Sequence, residues 1–109
     1  MTERASLKLV ALRAEFETRL AISTYFSCEY LECDIGTVVT VMNAVIYTSE
    51  LLGMAAEEFT VFLEKARNGE MAIVIDYEDD DPNYVVIVFE DGLEAHGIHK
   101  LTLAVCELI

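Results

Sequence analysis

The sequence predicts an α+β fold: an antiparallel sheet of about five or six strands with one main helix, about residues 49–68, packed on it. Three observations carry this. Apolar residues recur at helical spacing in only one long segment. Two runs, Met71–Tyr77 and Tyr84–Glu90, are dominated by Val, Ile, Phe and Tyr, which suit a pleated surface. Between them, Asp79-Asp80-Asp81-Pro82-Asn83 has the chemistry of a turn, so the two runs form a hairpin.

Taken in order, Ser6–Ala14 fits neither period well, because Val10 and Leu12 interrupt the alternation of Leu7, Leu9 and Ala11 with Lys8. Phe16, Thr18, Leu20 and Ile22 alternate with Glu15, Glu17, Arg19 and Ala21, which predicts a half-buried strand. Thr37–Tyr47 is rich in β-branched residues and reads as another strand. In the helix, Leu52, Ala55, Ala56, Phe59, Phe62, Leu63 and Ala66 share one face, and Phe59 and Phe62 are core residues. Thr48 or Ser49 supplies the N-cap, Gly53 weakens the first turn, and Asn68-Gly69 ends the helix with Lys65 and Arg67 near its C-terminus. Asp91-Gly92 marks a turn, His96–His99 reads as a loop, and Lys100–Leu108 is the final strand. The long apolar runs predict strands covered on both faces, by the helix or by a second subunit.

A chain of 109 residues with a single proline and no repeat reads as one domain, residues 1–109, able to bury a core without metal or disulfide. A hydrophobic fraction of 54% with a net charge of −13 argues against disorder, which pairs high charge with low hydrophobicity. No stretch reads as a signal peptide or membrane span, so the expected location is cytoplasmic. Cys28, Cys33 and Cys106 are an odd number, and reduced thiols are expected.

The charge is uneven. The first 30 residues carry equal numbers of acids and bases, so the rest of the chain holds the whole of the −13. Direct nucleic-acid binding is therefore not expected, because phosphate contacts need clustered Lys and Arg. From Asp76 to Glu94 there are eight carboxylates and no basic residue: Asp76, Glu78, Asp79, Asp80, Asp81, Glu90, Asp91 and Glu94. With Tyr77 and Tyr84 bracketing the turn, these residues form a candidate partner-binding surface: the rings supply anchoring area and the acids select a basic protein.

No metal or other cofactor is expected. The Asp76, Glu78, Asp80 spacing resembles a calcium loop only in part, since its sixth residue is Asp81 rather than Gly and its twelfth is Ile87 rather than Glu. Cys28, Cys33, His96 and His99 have zinc-binding side chains at unsuitable spacing. Cys33 lies between Glu32 and Asp34, and Cys106 precedes Glu107, so local charge disfavours a reactive thiolate. No P-loop, dinucleotide fingerprint, nucleophile elbow or zincin motif occurs, and no catalysis is expected.

The function this predicts is a non-catalytic acidic binding protein that inhibits or neutralises a basic target, such as a nuclease, a toxin or a nucleic-acid-binding defence complex, with nucleic-acid mimicry as one route. In size and charge, though in no motif, it is similar to bacterial immunity proteins and to anti-restriction or anti-CRISPR proteins. The alternative is a homo-oligomeric subunit, a homodimer for example, whose acidity serves solubility. A third is a small metal-binding or thiol-dependent protein using Cys28, Cys33, His96 and His99.

Overall fold

The computed structural model describes residues 10–18, 34–78 and 81–106. In chain order the elements are α1 (residues 10–18), β1 (Val38–Val41), a 3₁₀ turn (Ala44–Ile46), α2 (Ser49–Leu52), α3 (Ala56–Arg67), β2 (Ala72–Glu78), β3 (Asp81–Phe89), β4 (Glu94–His99), a second 3₁₀ turn (Lys100–Thr102) and β5 (Leu103–Val105). The strands form one antiparallel sheet in the order β4-β3-β2-β1-β5. The α+β class and the antiparallel sheet are therefore as the sequence predicts.

The hairpin of β2 and β3 is the centre of this arrangement. Ala72 pairs with Phe89, Ile73 with Val88 and Val74 with Ile87; the register then shifts so that Asp76 pairs with Val86. Ile75 is the extra residue of a β-bulge. Val74, Val85 and Ile87 are fully buried on the core face, together with Val39 of β1, Ile98 of β4 and Leu103 of β5. Helices cover that face through a row of aromatic rings. Phe16 of α1 stacks on Tyr47 at 4.8 Å between centroids, Tyr47 meets Phe62 of α3 edge-on at 6.1 Å, and Phe62 meets Phe89 edge-on at 6.1 Å. Such geometries use the ring quadrupoles and add to the gain from burial.

Several elements differ from expectation. Residues 10–18 are helical, not a strand, over the described part of Phe16–Ile22. Leu12 and Phe16, four residues apart, fall on one helix face, and Phe16 is buried while Leu12 packs against the core. Thr18, the next inward position of a strand, is exposed, and its Oγ1 donates to the Ala14 carbonyl at 2.9 Å. Leu20 and Ile22 lie outside the described residues. The strand expected over Thr37–Tyr47 stops at Val41, because Asn43 takes a left-handed φ of 53° and a 3₁₀ turn follows.

The helix expected over 49–68 is broken. Thr48 caps α2, its Oγ1 accepting from the Leu51 N–H at 3.1 Å, and Gly53 at φ 64° ends that turn. α3 then runs to Arg67, where Gly69 at φ 68° follows the C-cap. The break lets Leu51 and Leu52 of α2 and Phe62 of α3 be buried by separate segments.

Asp81-Pro82-Asn83 belongs to β3 rather than to a turn, since Glu78 pairs with Asp81. Asp81 Oδ1 accepts the Asn83 N–H at 2.9 Å, and Pro82 sits at the start of the strand, where a missing N–H is tolerated. His96–His99 is strand β4, not a loop; buried Ala95 and Ile98 hold it to the sheet, and Gly97 at φ 74° absorbs the register shift against β3. The final strand is shorter than Lys100–Leu108, because Lys100–Thr102 form a 3₁₀ turn before β5. Residues 107 and 108 lie outside the described residues.

Removing the Phe62 ring should cost about 3–5 kcal/mol, the usual range for a buried aromatic truncated to Ala. Gly69→Ala should cost less, about 1–2 kcal/mol, because the new Cβ meets nothing within 4 Å and only the left-handed backbone opposes it. Urea unfolding of both variants checks the ranking.

Candidate functional site

The carboxylates predicted to face a partner do not form one uniform patch. Asp76, Glu90, Asp91 and Glu94 are exposed, while Glu78 and Asp81 are half-buried where they pair across the hairpin. Asp79 and Asp80 lie outside the described residues. Asp76 Oδ1 accepts the Tyr77 N–H at 2.8 Å, and the Glu94 carboxylate lies 3.2 Å from His96 Nε2.

Asp91 is already engaged. Lys65 Nζ, at the end of α3, reaches its Oδ2 at 2.8 Å and Glu70 Oε1 at 3.4 Å. The ammonium also lies 5.6 Å from the centre of the Phe89 ring, so the stem of Lys65 is buried while its charge emerges at the β3–β4 turn. The Lys65 ammonium, followed by the Leu93 N–H, holds the Asp91 carboxyl below the usual carboxylate range. The hydrogen bond to Asp91 in turn raises the pKa of Lys65. No cation among the described residues comes within ion-pair distance of Asp76, Glu78, Asp81 or Glu90.

The two tyrosines have different fates. Tyr77 is half-buried; its hydroxyl donates to Asp34 Oδ1 at 3.4 Å, and Lys100 Nζ stands 5.4 Å over its ring. Tyr84 is only 1% exposed and cannot serve as a surface anchor, which corrects the expectation. Its hydroxyl donates to Glu17 Oε1 at 2.8 Å, the Arg13 guanidinium lies 4.7 Å over its ring, and His99 meets it edge-on at 4.9 Å. Burial first, and then the Glu17 carboxylate, push the Tyr84 hydroxyl well above its ordinary pKa. Tyr84 therefore ties α1 to the sheet. No local pattern signals this, because Arg13 and Glu17 reach Tyr84 only once residues 10–18 are helical.

His96 and His99 do not act together. His96 is exposed beside Glu94, whereas His99 is buried against Phe16 and Tyr84, and its Nδ1 accepts the Leu101 N–H at 3.1 Å. Cys28 and Cys33 lie outside the described residues, and Cys106 is a half-buried free thiol. Among the described residues no group of three or more His, Cys, Asp or Glu side chains is placed to hold a metal ion. Nor is any helix among them long and apolar enough to cross a membrane.

Of the two sheet faces expected to be covered, by the helix or by a second subunit, helices among the described residues cover one. Opposite the core face, Ile73 and Ile75 are 44% and 39% exposed, with Met71 beside them at 54%. Val38 and Val88 are half-buried neighbours of Ile73 in the sheet. This apolar surface was visible in the sequence as an unbroken hydrophobic run rather than an alternation, but not as an open one.

The fold and the site thus define an acidic α+β protein with an antiparallel sheet whose core face is packed against helices and whose other face exposes Met71, Ile73 and Ile75 among the described residues. Comparison with protein-family models, with curated proteins and with solved structures returns no match.

Burial lowers the pKa of His99, against an opposing pull from Glu17 and Asp81 and a contribution from Lys100 in the same direction as burial. Its folded value lies below the ~6.5 of an unfolded histidine, so the unfolded chain binds the proton more readily. The stability that neutral His99 supplies is full above about pH 6.5 and is lost as pH falls through and below it. A His99 ring resonance titrating at or above that value would contradict this. Stability of the native chain should also fall more on acidification than that of His99→Phe.

Proposed function

We propose that this chain is a non-catalytic acidic docking protein that engages, and thereby blocks, a basic protein partner. The observation that carries the reading is the set of carboxylates along β2 and β3 without a counter-cation among the described residues. Asp76, Glu78, Asp81 and Glu90 have no ion-pair partner among the described residues, and the nearby Lys65 is committed to Asp91 and Glu70. Asp79 and Asp80, between Glu78 and Asp81 in the sequence, add two further carboxylates.

A rigid sheet that presents carboxylates in this way repels phosphate and attracts Arg and Lys. Exposed pairs contribute little affinity each, so the acids act mainly on encounter rate and on partner choice. A nuclease, a toxin or a nucleic-acid-binding defence complex presents the required basic surface, and an acidic chain that covers it competes with nucleic acid. The partner and this chain would meet in the cytoplasm. Tyr77, half-buried, is the ring that lies beside the acids, in place of the buried Tyr84.

The test has two stages. The chain is used as bait at low salt, and the captured protein is identified and purified. Its association rate is then measured against native chain and against Asp76→Asn/Glu90→Gln/Glu94→Gln. A basic partner that associates several-fold more slowly with the variant, and whose salt dependence flattens, is the expected result. Association that is indifferent to both salt and the variant would sink the reading, as would capture of nothing but the chain itself.

A further inference from the structure

The open face of the sheet has a chemistry that specifies what lies on it. A sheet that is apolar on both faces is stable as a middle layer, with a further layer packed on each side. Here α1 and α3 supply one layer through Phe16 and Phe62, while Ile73, Ile75, Val38 and Val88 on the other side are left partly exposed. The bulge at Ile75 sets Asp76 next to it, opposite Val86.

Acids border this apolar stripe on both sides. Glu94, the β4 residue paired with Val88, and Glu90, just beyond β3, stand at one margin, and Asp76 stands at the other. Met71, Ile73, Val88 and Glu90 line a shallow groove along it. The described Lys and Arg side chains lie elsewhere: Lys65 on Asp91, Lys100 over Tyr77, Arg13 over Tyr84, and Arg67 beside Asn43 and Leu63. Only His96 shares the margin, and it is beside Glu94.

Resting on the proposed docking function, we infer that the outer face of β1, β2 and β3 receives an amphipathic helix of the partner, with an apolar stripe seated on Ile73 and Ile75 and Lys or Arg flanking it toward Asp76, Glu90 and Glu94. A helix is the layer that covers a sheet face, as it does on the core side. The charge decides the occupant. A second copy of this chain would bring Asp76, Glu90 and Glu94 against their own kind with no cation between them, which opposes self-association. A basic helix meets the same carboxylates with the opposite sign. The apolar stripe then supplies affinity and the margin supplies selection.

The experiment titrates the full chain with two short synthetic peptides of equal length and charge. One carries leucine on one helical face and lysine on the other; the second has serine in place of every leucine. A third, leucine with glutamate, controls for charge sign. Methyl resonances of Ile73, Ile75 and Val88 report the site. The leucine–lysine peptide should shift those methyls and bind at least about tenfold more tightly than the serine–lysine peptide, the scale expected for burying a few aliphatic groups. Ile73→Thr/Ile75→Thr should abolish that advantage; both positions are exposed and Thr keeps the strand preference, so the fold is retained.

Equal binding of the two lysine peptides with silent methyls would overturn the inference while leaving the acidic docking function standing. Failure of both to bind would sink the docking function as well. Equal binding of the leucine–glutamate peptide would remove the role of the acidic margin. A sedimenting dimer dissociated by Ile73→Thr/Ile75→Thr would identify a second copy as the occupant instead. Methyl contacts to residues 19–33 of the same chain would identify an internal cover. Either of these last two results overturns the inference.

Discussion

Tyr47 joins parts of the chain that no backbone ladder connects. Its ring lies between Phe16 of α1 and Phe62 of α3, and its hydroxyl is buried at the junction of β4 with the Lys100–Thr102 turn. There the His99 N–H donates to the Tyr47 oxygen at 3.0 Å, and Thr102 Oγ1 donates to the His99 carbonyl at 2.8 Å. Thr102 has a single proton, so the Tyr47 hydroxyl must donate to Thr102 Oγ1. No fully buried side-chain nitrogen or oxygen among the described residues lacks a hydrogen-bond partner. Breaking one link would leave a buried group unpaired, at about 1–3 kcal/mol. Burial holds the Tyr47 hydroxyl well above its ordinary pKa, which favours the protonated, donating form.

From that junction the rest of the molecule is set. Tyr84 and His99 lie against the far side of Phe16, with Arg13 and Glu17 of α1 closing over Tyr84. At the opposite end Phe62 touches Phe89, and Lys65 passes that ring to reach Asp91. The helical layer is fastened at both ends by a cation, an aromatic ring and a carboxylate. Of the four Lys and Arg side chains described, Arg13, Lys65 and Lys100 are thus spent on internal contacts, while Arg67 is exposed at the end of α3.

Elements with a strong period were legible in the sequence. The α3 face, the Asn68-Gly69 stop and the β2–β3 pair could be read because Phe59, Phe62 and Ala66 keep helical spacing and because Val and Ile fill the strands. Short alternations misled. Glu15-Phe16-Glu17-Thr18 satisfies a period of two, yet Leu12 and Phe16 satisfy a helical period equally well, and the position of Tyr84 decides between them. β4 was hidden because His96, Gly97 and His99 carry loop-like chemistry, while only Ala95 and Ile98 hold the strand. Of the site, the acids were visible as composition. That Asp91 is already paired and Tyr84 buried depends on contacts between residues far apart in sequence, and no local pattern encodes these.

The strand order has a consequence for how the sheet is assembled. β2, β3 and β4 form a meander whose partners are neighbours in sequence, so each pairing closes only a short loop. β1 is different: Val38 pairs with Ile73 on one side, and Val39 pairs with Val105 on the other. Both closures span long stretches of chain, and the second waits for β5. Loop-closure entropy therefore weighs most on β1, the strand nearest the far edge, and the meander can form without it. During synthesis the edge of β1 that pairs with β5 stays unpaired until the C-terminal strand has emerged, which leaves that edge open to pairing with another chain in the interval.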